Sequence, residues 1–210
     1  MWKTTLIAAS AALVATLVAP ANATTVRGAA LPLVKAPLQA QHNRTGQTAY
    51  TFTTLDDAAD PTFNQLLGIN NAGEISGYFG SGAPGHPNQG YTILSPYAQT
   101  NYTNENFPGS VQTQVTGLNN LGDTCGFWVD GKGNNFGFIE WNGVFTSYTD
   151  PHTGKGTTNQ ILGINDRGFA VGFYVGVKGD SHAFRLNQAT GKFESINPPG
   201  GVIGVNLPVA

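Results

Sequence analysis

The chain has 210 residues, with 10 Lys+Arg against 12 Asp+Glu for a net charge of −2, and only 10% of it is charged. Ordinary globular proteins carry roughly 25% charged residues, and the lack of clustered Lys and Arg excludes electrostatic capture of nucleic acid. Gly is plentiful at 28 residues, and a single Cys excludes an internal disulfide, so a packed core must hold any fold together.

Residues 1–23 read as a signal peptide. Lys3 supplies the positive start, Leu6 to Val18 the apolar stretch, and Ala21-Asn22-Ala23 the small-x-small cleavage pattern, so the mature chain is expected to begin at Thr24. The apolar stretch is shorter than the roughly 20 residues of a membrane span, and no later stretch is more apolar. The expectation is a secreted protein without a transmembrane segment in the mature chain, extracellular or, in a Gram-negative host, periplasmic. Residues 24–49 contain Pro32 and Pro37 and no strand alternation, and read as a linker or loosely attached arm. Tyr50 to Leu55 reads as the last strand of a unit whose beginning is missing.

From residue 50 to 207 the chain is repetitive. Gly68-Ile69-Asn70-Asn71-Ala72-Gly73, Gly117-Leu118-Asn119-Asn120-Leu121-Gly122 and Gly163-Ile164-Asn165-Asp166-Arg167-Gly168 align without gaps, with starts 49 and then 46 residues apart. A partial fourth copy begins at Gly204-Val205-Asn206. Asn and Gly tolerate positive φ, so each copy predicts a tight β-hairpin turn. The structural turn residues are thus Gly68, Asn70, Gly73, Gly117, Asn119, Gly122, Gly163, Asn165 and Gly168. Gly77, Gly126 and Gly172 follow inside the second strand, where a glycine marks a bulge or a close backbone approach. A Gln recurs three residues before each repeat, at Gln65, Gln114 and Gln160.

Aromatic pairs come next: Tyr78-Phe79, Phe127-Trp128 and Phe173-Tyr174. A third strand is expected at Gly90 to Leu94, Gly137 to Trp141 and Ala183 to Leu186, and a fourth at Val144 to Tyr148 and Phe193 to Ile196. Four short antiparallel strands in roughly 45 residues is the period of a propeller blade. The predicted fold is all-β: repeated four-stranded antiparallel units, propeller-like with about three full blades and a partial fourth, or an open array of β-repeats. Tyr50 to Leu55 and Val202 to Asn206 would meet if the ring closed.

These residues resemble the bacterial extracellular repeats of the HAF family. Its name-giving triplet stands here as His182-Ala183-Phe184, matched by Gln89-Gly90-Tyr91 and Phe136-Gly137-Phe138. The resemblance implies an exported repeat protein and carries no catalytic residue or cofactor with it.

No catalytic constellation stands out. His42, His86, His152 and His182 lie in separate segments without metal-ligand spacing. Gly179-Asp180-Ser181-His182-Ala183 comes nearest to a nucleophile elbow, but no helix follows. Asp130-Gly131-Lys132-Gly133-Asn134 lacks the ligand set of a calcium loop, and Cys125 takes the place of Ser76 and Val171 as a small core residue. No metal or other cofactor is expected. Glu140 departs from the repeat, standing where the other copies have Ile93 and Leu186. Trp141 stands where they have Leu94 and Asn187. Glu beside Trp makes these two the candidate binding residues. The leading reading is a non-enzymatic binding or surface-interaction module, its partner a polysaccharide or another surface protein. It would present loops 80–89, 95–101, 129–135 and 175–181. The alternatives are a glycan hydrolase or lyase using Glu140, and a structural envelope or matrix component that self-associates through sheet edges.

Overall fold

The structure is a computed structural model that describes residues 39–40, 50–156 and 158–197. The signal peptide expected over 1–23, the partial fourth repeat expected from 204 and the strand expected over 202–206 lie outside the described residues. The chain divides into two units, Met1–Phe52 and Thr53–Ala210. In the first, the two-residue strands β1 (Gln39–Ala40) and β2 (Tyr50–Thr51) pair antiparallel. The strand expected over Tyr50–Leu55 therefore stops at Thr51 and pairs with Gln39–Ala40. In the second unit, Leu55 packs against the apolar face of Ile75, Tyr91 and Ile93, and Asn64 Oδ1 accepts the Asp57 amide at 3.0 Å.

The second unit is all-β. Its strands are β3 (Asn64–Ile69), β4 (Ile75–Phe79), β5 (Gln89–Ile93), β6 (Tyr102–Asn104), β7 (Gln112–Leu118), β8 (Thr124–Val129), β9 (Asn135–Trp141), β10 (Val144–Tyr148), β11 (Asn159–Ile164), β12 (Phe169–Val175), β13 (Ser181–Asn187) and β14 (Lys192–Ser195). They form three four-stranded antiparallel sheets whose order in space follows the chain: β3 to β6, β7 to β10 and β11 to β14. Each is a blade-like meander, and among the described residues no sheet closes into a barrel.

The repeated turn works differently from the expectation. Only its last residue has positive φ: Gly73 at 79°, Gly122 at 89° and Gly168 at 73°. Gly73 N–H bonds back to Asn70 O, and the Asn70 amide bonds to Glu74 O, which is a type I turn closed by a glycine bulge. The Asn earns its place through its side chain. Asn70 Oδ1 accepts the amides of Ala72 and Glu74, Asn119 Oδ1 those of Leu121 and Asp123, and Asn165 Oδ1 those of Arg167 and Phe169. Asp130 does the same for Lys132 and Asn134, so the loop compared with a calcium site is another such turn with its carboxylate occupied by N–H groups.

The recurring Gln and the in-strand glycine are two halves of one device. Each first strand carries a bulge, at Leu67, Thr116 and Leu162, so the register jumps from Leu66 to Gly68, from Val115 to Gly117 and from Ile161 to Gly163. The bulge presses the preceding carbonyl into the second strand. A Cβ on Gly77, Gly126 or Gly172 would lie 2.0–2.1 Å from the carbonyl oxygen of Gln65, Gln114 or Gln160. No side chain fits there.

Blades stack face to face. β7 packs on β4 and β5, and β11 on β8 and β9, while β3, β7 and β11 run beside one another. The first strands almost touch at the repeat glycine: a Cβ on Gly68 would be 3.1 Å from Gly117 Cα, and one on Gly117 3.2 Å from Gly163 Cα. Between blades two and three the core is apolar, with Cys125 and Ile139 against Ile161, Ala170, Phe184 and Leu186. The far face of blade one is covered by Leu55, Tyr97 and Tyr102. The far face of blade three carries Arg185, which pairs with Glu194 and lies 5.1 Å over the Phe169 ring.

Alternation of the meander splits the four expected loops. Residues 80–88, 130–134 and 176–180 each join a second to a third strand and share one end. Residues 94–101 join a third to a fourth strand and sit at the other end with the repeat turns, where Tyr97 Oη donates to Gly73 O at 2.7 Å.

Candidate functional site

Glu140 and Trp141 do not form a pair. Neighbours along a strand point to opposite faces, and here the faces belong to different contacts. Trp141 packs into the core between blades two and three, where a Cβ on Gly168 would sit 3.4 Å from its ring. Glu140 faces blade one.

What surrounds Glu140 follows from register. It lies directly opposite Thr124, and both share a face with Gly126 and Val115. A Cβ on Gly90 of blade one would meet Val115 Cγ2 at 2.7 Å, which marks that face as the one against blade one. From blade one come Ser76 and Thr92, directly opposite each other, and Glu105, whose Oε1 accepts from Thr92 Oγ1 at 3.4 Å.

The same positions are apolar at the other contact. Where blade one presents Ser76, Thr92 and Glu105, blade two presents Cys125, Ile139 and Tyr148 to blade three. Where blade two presents Thr124 and Glu140, blade three presents Ala170 and Leu186. Five positions thus differ together between the two contacts. Ser76 and Thr124 are fully buried, and their hydroxyls have no hydrogen-bond partner.

The electrostatics are one-sided. Burial pushes the Glu105 carboxyl up to about 7, helped by the charges of Glu140 and Glu74. Burial also raises Glu140, with Asp123 and Glu74 adding to it, against the amides of Gly143 and Thr124 that pull it down. Asp123 is itself held, its Oδ1 by the Asn142 amide at 2.9 Å and its Oδ2 by Asn119 Nδ2 at 2.7 Å. Glu105 went unnoticed in the sequence because it follows a three-residue strand that has no sequence mark. The signal that finds it is its alignment with Tyr148.

A second feature lies where the three repeat turns converge. Ile69, Asn70, Asn71, Leu118, Asn119, Asn120, Ile164, Asn165 and Asp166 line an open cavity of about 290 Å³. Each repeat supplies the same three positions. The turns are tied to one another: Asn70 Nδ2 donates to Asn119 O at 3.1 Å, Asn120 Oδ1 accepts the Asn71 amide at 3.0 Å, and Asp166 accepts the amide and side chain of Asn120 at 2.7 and 3.0 Å. Of the nine residues read from the sequence as turn residues, Asn70, Gly73, Asn119, Gly122, Asn165 and Gly168 lie in these turns, whereas Gly68, Gly117 and Gly163 lie in the first strands and pair with Ser76, Cys125 and Val171.

At the loop end of blade one, residues 59–62, 85–87 and Gln89 line an open cavity of about 370 Å³ with Phe79. His86 Nδ1 there bonds Asp60 Oδ2 at 2.6 Å. His152 and His182 likewise each meet an Asp, Asp150 at 2.9 Å and Asp180 at 2.7 Å. Asn197 occupies the other ring nitrogen of His182 at 3.2 Å, so this histidine is fully engaged in structure. Among the described residues, no three His, Cys, Asp or Glu side chains gather as ligands for a metal ion, and no helix is long and apolar enough to cross a membrane.

Among the described residues, fold and site define an all-β arrangement of three blade-like repeats with a polar contact between the first two. Comparison with protein-family models, with curated proteins and with solved structures finds no match to this chain.

Proposed function

We propose that this is an exported, non-enzymatic bacterial repeat protein that binds a polysaccharide at the end where its three repeat turns converge. The cavity there carries the reading. Each repeat contributes one aliphatic side chain, Ile69, Leu118 or Ile164, beside one exposed amide or carboxylate, Asn71, Asn120 or Asp166. A sugar ring has the same division, with apolar C–H faces and a rim of hydroxyls, and pockets that pair apolar walls with a few placed polar groups are the usual form of a ligand site. The signal segment and the resemblance to exported HAF-type repeats favour a ligand outside the cytoplasm.

Glycan-array binding followed by calorimetry tests this. Ile69 and Asn71 are both exposed, so Ile69→Ser and Asn71→Ala leave the fold intact. Each is expected to weaken binding about tenfold, the equivalent of roughly 1.4 kcal/mol. No hit among polysaccharides for the wild-type protein sinks the reading.

A glycan-active enzyme is the second reading, favoured by one observation: Glu140 has an acidic companion, Glu105, in the same crevice. Two carboxyl groups are what glycoside hydrolysis requires. Glu140→Gln with undiminished turnover of any hydrolysed glycan removes it. Matrix assembly through sheet edges has less support. The outer strand β6 is three residues long, and β14 carries Lys192 and Glu194, features that blunt an edge.

A further inference from the structure

We propose that the contact between the first and second blades is a proton-binding site, in which Glu105 and Glu140 share a proton and the blades hold together best while they do. The proposal stands apart from the ligand reading and rests on the crevice alone.

Five observations converge. The two carboxyls approach from opposite blades, Glu105 from the end of β6 and Glu140 from β9. The groups acting electrostatically on them are the carboxylates Glu74, from the β3–β4 turn, and Asp123, from the β7–β8 turn; no cation is among them. Thr92 faces Glu105 with a hydroxyl, and Thr124 lies directly opposite Glu140. The fully buried hydroxyls of Ser76 and Thr124 have no partner, so they do not compensate a second negative charge. The equivalent contact between blades two and three has no carboxyl group at any of the five positions, which hold Cys125, Ile139, Tyr148, Ala170 and Leu186.

Two like charges in such a gap repel, and one proton between them removes the repulsion. One carboxyl takes up the proton while the other stays ionised, so nothing but the proton is exchanged with solvent. Glu74 and Asp123 bind Asn70 Nδ2 at 3.1 Å and Asn119 Nδ2 at 2.7 Å. Loss of the proton therefore strains the first two repeat turns as well as the blade contact.

The sign follows from linkage. A carboxyl raised in the folded state keeps its proton where the unfolded chain has lost it. Stability is then highest at the acid side of the window and falls as pH rises from the ordinary carboxylate range toward about 7.

Carboxyl-carbon NMR of the mature protein, with Glu side chains labelled, reads the site directly. Glu105 is expected to titrate near pH 7, and in Glu140→Gln its midpoint is expected to fall by about one pH unit. A Glu105 midpoint in the ordinary carboxylate range, or one unmoved by Glu140→Gln, overturns the proposal. Thermal unfolding between pH 5 and pH 8 gives the second readout. The wild-type midpoint temperature is expected to drop by several degrees more across this window than that of Glu105→Gln. The histidines are present in both proteins and cancel in the comparison. Equal pH profiles for the two proteins also overturn it.

Discussion

Ser76 and Cys125 occupy the same position in successive blades and are both fully buried, yet the hydroxyl faces an acidic crevice and the thiol an apolar core. The repeat supplies the scaffold, and the differences between copies decide which contact between blades is sealed and which is polar.

Cys125 should accordingly be chemically inert. Burial pushes its thiol up to about 12, and the reactive species is the thiolate. Thiol reagents are expected to leave the folded protein unlabelled and to react only as fast as it unfolds. Rapid labelling of folded protein would mean that blades two and three open. Cys125→Ser places a hydroxyl in that apolar core and is expected to cost about 2 kcal/mol in urea unfolding.

The three turn asparagines make the same two amide contacts in different surroundings. Asn119 is 3% exposed, Asn70 is half-buried and Asn165 is exposed. Amides left without an acceptor are costly only where water cannot reach them. Substitution by Ala is therefore expected to cost most at Asn119, about 2–3 kcal/mol, less at Asn70 and least at Asn165. Denaturant midpoints for the three variants check the order.

Glycine tolerance should divide sharply within the repeat. At Gly126 an added methyl meets the Gln114 carbonyl at 2.0 Å, and at Gly117 it meets backbone of the next blade at 3.2 Å. Gly163, the third-repeat counterpart of Gly117, has only Val171 Cγ2 at 3.8 Å. Gly126→Ala is expected to cost at least about 3 kcal/mol and Gly117→Ala about 1–3 kcal/mol. Gly163→Ala should be neutral or stabilising by up to about 1 kcal/mol, because it only restricts the unfolded chain. Thermal midpoints separate the three.

Much of this was legible in the sequence because turns and strands are local. Asn70-x-x-Gly73 and its copies marked the hairpins, and Gly90, Gly137 and Ala183 marked the third strands. The role given to the Asn was wrong in detail. Tolerance of positive φ and side-chain capping of amides favour the same residue type, and only the folded geometry separates them. The pairing of Glu140 with Trp141 failed for a non-local reason: adjacent residues on a strand that is covered on both faces serve different neighbours. Glu105 was hidden because β6 is short and is preceded by a single turn of 3-10 helix, Gln99–Asn101, which breaks the spacing of the repeat.

The unpartnered hydroxyls give the last prediction. Thr124 Oγ1 and Ser76 Oγ are buried without a hydrogen bond, so each forfeits its hydration and gains nothing in return. Thr124→Val keeps the shape of the side chain and removes the polar atom. Ser76→Ala does the same for a smaller group. Each is expected to stabilise the protein by about 1 kcal/mol. Thr124→Val keeps the volume of the side chain, whereas Ser76→Ala leaves a small void beside Gly68, so the gain should be larger at 124. Urea unfolding at pH 5, where the neighbouring Glu105 remains protonated, isolates the effect from charge. A loss of stability in both variants would mean that these hydroxyls are satisfied by ordered water, and that the crevice between blades one and two is wet.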